Sequence, residues 1–83
     1  MNRIEPGEPV IIYDYDVVLR FDEQIVNRHL TLRKTEAEGV LIDPNSPEMH
    51  DEATRRACKK ADVNVNDVRS TVRWTRSHLT TAK

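Results

Sequence analysis

Between Val10 and Phe21 the chain alternates with a period of two, and no other feature restricts its fold so sharply. Ile11, Tyr13, Tyr15, Val17, Leu19 and Phe21 fall on one side of an extended segment. Asp14, Asp16, Arg20 and Asp22 fall on the other, with Val10, Ile12 and Val18 among them. Successive side chains of a strand point to opposite faces, and β-branched and aromatic types suit such a surface, so this stretch reads as a long strand. Asp22-Glu23-Gln24 then marks a turn, although it lacks the glycine that tight hairpins prefer.

A second strand is expected from about Ile25 to Lys34. With Asp22 and Glu23 as the loop, Leu19 faces Val26, Tyr15 faces Leu30 and Tyr13 faces Leu32. This register gathers the apolar residues of both strands on one face. The opposite face then sets Asp16 beside His29 and Ile12 beside Arg33. Thr35 to Gly39 reads as a loop, Val40-Leu41-Ile42 as a short third strand, and Asp43-Pro44 as its end.

Two helices are expected to close the chain. Ser46-Pro47-Glu48 supplies an N-cap oxygen, a proline at the first helical position and an acid near the positive end of the dipole. That helix should reach about Ala61. A second start lies at Asn64, with Asp67 at the capping-box position and Val63 and Val68 spaced as a hydrophobic staple. It should continue to about Leu79. The expected fold class is α+β: a three-stranded antiparallel sheet, made of a long β-hairpin and a short third strand, followed by two C-terminal helices packed on one face. At 83 residues the chain has room for one such domain, 1–83, with 1–8 as a flexible arm and 80–83 as a frayed tail.

The net charge of −1 conceals a segregation. Residues 1–52 carry 5 basic and 12 acidic groups, a balance of −7, whereas residues 53–83 carry 8 basic and 2 acidic groups, a balance of +6. Either the two parts present different surfaces or they neutralise each other within the fold. On the first helix, Met49, Ala53, Ala57 and Ala61 form a narrow ridge of mostly small side chains, and Arg55, Arg56 and Lys59 gather on roughly the opposite arc. On the second, Val65, Val68, Val72 and Leu79 share a stripe. Arg69, Arg73 and Arg76 line up beside it, and Trp74 falls well away, to be used either in packing or at an interface.

Residues 57–68 resemble a helix-turn-helix, with Cys58 in the small position, Asp62 in the turn in place of the usual glycine, and Val63 and Val68 in the buried positions. The resemblance implies that Asn66, Arg69 and Arg73 reach bases or phosphates. A strand followed by two helices is also similar to ribbon-helix-helix proteins, but the two longer strands ahead of it have no counterpart there.

Signals for catalysis are weak. Asp14 and Asp16, with His29 nearby, bring together metal-ligand types but no second ligand pair at motif spacing, and His50-Asp51-Glu52 are helical neighbours that do not converge. His78 has no evident carboxylate to orient it. Cys58 has no histidine partner, and Gly7 and Gly39 stand alone, so no phosphate loop or dinucleotide fingerprint is present. No catalytic residue, metal or cofactor is assigned. No apolar run approaches the roughly 20 residues that span a bilayer. The opening residues lack the apolar stretch of a secretory leader, and the single cysteine suits a reducing compartment, so a cytoplasmic setting and no membrane partner are expected.

The leading expectation is a small non-enzymatic intracellular binding module, a nucleic-acid-associated accessory or regulatory protein. Its basic helices would supply Arg55, Arg56, Lys59, Asn66, Arg69, Arg73, Trp74 and Arg76 to the nucleic acid. The alternative is a protein-directed inhibitor or adaptor, of the kind phages direct against nucleic-acid enzymes, acting through the acidic strand residues Asp14, Asp16 and Asp22. Because 37% hydrophobic content gives a modest core, a homodimer is a further expectation, with the long first strand as a pairing edge or Trp74 as a helical interface.

Overall fold

Alternation makes residues 9–21 the centre of the molecule. In the computed structural model, which describes residues 4–82, strand β1 (Pro9–Phe21) is hydrogen-bonded on both sides. Strand β2 (Gln24–Thr35) and strand β3 (Arg69–Thr81) flank it, both antiparallel, in the order β2-β1-β3. Between the outer strands lie the one-turn helix α1 (Glu36–Gly39), the helix α2 (Pro47–Ala61) and a 3₁₀ turn at Val65–Asp67. The result is an α+β architecture with a three-stranded antiparallel sheet and one long helix.

The hairpin has the register that burial demands. Leu19 pairs with Val26, Tyr15 with Leu30, Tyr13 with Leu32, Asp16 with His29 and Ile12 with Arg33. The two turn residues, Asp22 and Glu23, have φ of 48° and 62°, the left-handed pair that a two-residue hairpin of matching twist requires. Neither is glycine, so the turn is closed by the strands rather than by its own preference.

Helix α2 starts and stops where its caps dictate. The Ser46 side chain accepts from the Met49 N–H, and Pro47 holds the first helical position. Asp62 ends it in the left-handed conformation at φ 56°, and the Val63 N–H donates to the Cys58 carbonyl at 3.0 Å. The small ridge does what small residues permit. Met49, Ala53 and Ala57 are buried and Ala61 partly buried against Tyr13, Tyr15, Val17, Leu19, Leu30 and Leu32 of the sheet. The hydroxyl of fully buried Tyr15 donates to the Pro44 carbonyl at 2.7 Å, fixing the loop that leads into α2.

The expected second helix is strand β3. Residues 69–81 contain Thr71, Val72, Trp74, Thr75, Thr80 and Thr81, types that favour extended backbone and restrict χ1 in a helix. The Asn64 cap begins only the 3₁₀ turn, accepting from the Asn66 N–H. The helix-turn-helix reading therefore does not hold, because the turn leads into a strand and no recognition helix forms. The expected third strand at Val40–Ile42 is also replaced. Thr35 and Glu38 form a capping box that opens α1, and Val40, Leu41 and Ile42 donate to the Glu36, Glu38 and Gly39 carbonyls. Gly39 lies close to the sheet, since a methyl group there would overlap Ile11 Cδ1 and lie 2.9 Å from the Tyr13 hydroxyl, displacing these side-chain ends. Thr80 and Thr81, expected to fray, pair with Val10 and Pro9, and the Gly7 N–H donates to the Ala82 carbonyl. Nor does β1 offer an edge for self-pairing, because both of its edges are occupied.

Replacing Asp22-Glu23 by Asn-Gly puts residues that favour the left-handed conformation at both turn positions. It should stabilise the fold by roughly 1 kcal/mol, read as a rise of about 4–8 °C in Tm. A second measurement addresses the core. Burial raises the Tyr13 phenol and pushes Tyr15 up to about 12, with Tyr13, Glu52 and Asp43 adding to the latter. Unfolded tyrosines ionise near the ordinary value of about 10. Between that value and the folded one the unfolded state holds fewer protons, so stability is complete below about pH 10 and is lost as pH rises further. Phenolate absorbance of the folded protein should therefore lag that of the denatured chain, and appear together with alkaline unfolding.

Candidate functional site

The sheet has a covered face and an open one, and the pairing register assigns every residue. Helix α2 lies on the face of Tyr13, Tyr15, Val17 and Leu19. The other face carries Ile12, Asp14, Asp16, Val18 and Arg20 from β1, and Asn27, His29, Thr31 and Arg33 from β2. No helix among the described residues packs on it.

The contribution of β3 depends on one irregularity. Tyr15 pairs with Trp74 and Asp14 with Arg76, so Thr75 is an extra residue between two ladder positions, a β-bulge. Its hydroxyl donates to the Asp14 carbonyl at 3.1 Å. On the amino-terminal side of the bulge, Arg69, Thr71 and Arg73 lie opposite Arg20, Val18 and Asp16, on the open face. Beyond it, Arg76 and His78 lie opposite Asp14 and Ile12, on that same face. Without the extra residue Arg73 and Arg76, three apart, would point to opposite sides. The bulge brings Arg69, Arg73 and Arg76 to one surface, where Arg20 and Arg33 join them.

Both acids of the alternative reading stand within this arginine set. Asp14 is buried, its side chain 7% exposed, and its Oδ2 accepts from Arg76 Nε at 2.8 Å while the Arg76 side chain remains 74% exposed. Asp16 Oδ1 lies 3.0 Å from His29 Nδ1. Asp22 is apart from both, in the exposed β1–β2 turn. The three acids thus form no continuous acidic surface.

The expected nucleic-acid set is divided. Arg55, Arg56 and Lys59 are exposed on α2, with the sheet between them and the open face, and Arg56 Nη2 lies 3.6 Å from Glu52 Oε1. Asn66 is exposed in the 3₁₀ turn. Trp74 points to the covered side, half-buried against the core, with its Nε1–H donating to Ser77 Oγ at 2.9 Å. Of the eight residues, only Arg69, Arg73 and Arg76 share the open face. Arg20 and Arg33 lie outside the expected set, although strict alternation through Asp16, Val18 and Arg20 already places Arg20 beside the aspartates.

On the half of the open face nearer the β1–β2 turn lies a solvent-open concavity of about 610 Å³. Val18, on the central strand between Asn27 and Thr71, lines it with Asp16, His29 and Arg73, and Val17 and Arg28 also border it. Among the described residues no three histidine, cysteine, aspartate or glutamate side chains converge as a metal set. Cys58 is buried, and burial pushes its thiol above the ordinary value, away from the thiolate a nucleophile needs. No helix among the described residues is long and apolar enough to cross a membrane. Comparison with protein-family models, with curated proteins and with solved structures gives no match in any of the three.

Removing Arg76 leaves the shielded Asp14 carboxylate without its charge partner. A deeply buried pair broken this way loses about 3–5 kcal/mol, but water reaches the exposed Arg76 position, so Arg76→Ala should cost about 1 kcal/mol. Adding Asp14→Asn should return part of that loss. Urea unfolding of the single and double variants measures both, and unchanged midpoints throughout would show the pair to be energetically idle.

Proposed function

We propose that this protein is a nucleic-acid-binding module, accessory or regulatory in role, that holds phosphates on the open face of its sheet rather than on helices. The supporting observation is the convergence of Arg69, Arg73 and Arg76 with Arg20 and Arg33 on one uncovered surface. Five guanidinium groups stand there against two aspartates, and one of these is buried beneath Arg76. Arginine presents a planar fork of donors suited to phosphate oxygens. The strand rise of about 3.3 Å per residue spreads these groups along the surface rather than at one point, which suits a chain of phosphates.

A protein-directed reading through Asp14, Asp16 and Asp22 draws less support. Asp14 is shielded, Asp16 already holds His29, and Asp22 lies at the turn.

Fluorescence anisotropy with labelled single-stranded and duplex oligonucleotides, over a range of salt, tests the proposal. Five phosphate contacts correspond to a slope of log K against log salt of roughly −3.5 for a single strand, less steep where fewer engage. Arg69→Glu with Arg73→Glu should reduce affinity more than tenfold, as expected for reversing two phosphate contacts. Arg55→Glu with Arg56→Glu on the far side should leave it nearly unchanged. Absence of salt-sensitive affinity for every nucleic acid tried would reject the function.

A further inference from the structure

We infer that the concavity between Asp16 and Arg73 receives one unpaired guanine base of a single strand. This inference rests on the nucleic-acid function proposed for the open face and specifies its ligand.

The shape of the site is the first argument. The concavity opens on the arginine-bearing face, with Val18 of the central strand between the polar side chains of Asn27 and Thr71 and with Asp16, His29 and Arg73 beside them. An apolar side chain bordered by polar ones accepts a flat ring inserted from outside. A duplex keeps its bases stacked and presents its backbone, whereas a single strand can splay a base into a protein surface. Arg69 and Arg76, which flank Arg73 along β3, lie where the phosphates on either side of that base would run.

The second argument is the hydrogen-bonding complement. Asp16 and Arg73 are directly paired across β1 and β3, yet no ion pair forms between them. His29 holds Asp16 Oδ1, and among the described residues neither Asp16 Oδ2 nor the Arg73 guanidinium has a hydrogen-bond partner. A carboxylate that only accepts thus stands next to a guanidinium that only donates. Guanine alone of the four bases offers two adjacent donors, N1–H and the N2 amino group, together with two adjacent acceptors, O6 and N7. It can take Arg73 in bidentate fashion on O6 and N7, the commonest specific contact to this base, while its N1–H and N2 donors meet Asp16 Oδ2 and the second lone pair of Oδ1. Adenine and cytosine give the carboxylate a single amino group, and uracil gives it one ring N–H. The Asn27 amide, also on the wall, can add either a donor or an acceptor.

Short labelled uridine oligonucleotides carrying one central guanine, adenine, cytosine or hypoxanthine, compared at one salt concentration, test the inference without altering the protein. Guanine should bind roughly tenfold more tightly than adenine or cytosine, the discrimination of one good bidentate pair. Hypoxanthine, which lacks the N2 amino group, should fall between. Asp16→Asn, at a half-exposed position, should erase the preference for guanine while salt-sensitive binding persists. Arg69→Glu should weaken all the oligonucleotides alike. Equal, salt-sensitive affinity for every base would overturn the guanine site and leave the module reading standing. No affinity for any oligonucleotide would overturn both.

Discussion

Every other element takes its position from the backbone pairing of β1 with both of its neighbours. A central strand has no free edge, and its side-chain period of two divides the molecule into a covered face and an open one. Slipping either pairing by one residue would exchange Tyr13, Tyr15, Val17 and Leu19 for Asp14, Asp16 and Val18 beneath α2, burying carboxylates in place of the core. The register of β2 and β3 is therefore fixed by the burial of β1. Helix α2 adapts to that surface with alanines at Ala53 and Ala57, small enough to bring its backbone close to Tyr15 and Leu19.

The bulge at Thr75 is the exception that gives the open face its character. It also explains what could and could not be read along the chain. The hairpin was legible because every second residue from Ile11 to Phe21 is apolar, and α2 was legible because Ser46-Pro47 is a strong start signal. Strand β3 was not, since its apolar residues fall at Val72, Trp74 and Leu79, even positions and then an odd one. A period-two search loses phase at Thr75, whereas Val65, Val68, Val72 and Leu79 mimic one face of a helix. The phase change becomes visible only when β3 lies beside Asp14 and Tyr15. Helix α1 was different: Thr35-Glu36-Ala37-Glu38 is a capping box in the sequence itself, and the apolar run behind it, Val40 to Ile42, resembles a strand.

The segregation into an acidic first part and a basic second part also becomes physical. Antiparallel pairing of β1 with β3 lays one against the other, so Arg76 meets Asp14 and Arg73 comes opposite Asp16. Both expectations about the charges are thus partly met, through neutralisation at Asp14 and through a basic surplus on the open face. Asp14 and Asp16 of the acidic set and Arg69, Arg73 and Arg76 of the basic set share a single surface. The basic groups of α2 are set apart from it by the sheet, because the alanine ridge that docks the helix turns Arg55, Arg56 and Lys59 outward.

What leaves Arg73 without an acidic partner is competition for Asp16. Arg73 is its partner in the β1–β3 register, but His29 is its partner in the β1–β2 register, and the 3.0 Å contact goes to histidine. An exposed ion pair contributes little, so a short contact to one neighbour is enough to leave the other guanidinium in solvent. Asp14 has the opposite outcome. Its β2 neighbour is Thr31, no histidine competes, and Arg76 takes the carboxylate. The residue that β2 sets beside each aspartate, His29 at Asp16 and Thr31 at Asp14, thus separates the occupied Arg76 from the available Arg73. On this face cross-strand competition frees Arg73, whereas Arg69, opposite Arg20, meets no carboxylate on its rung.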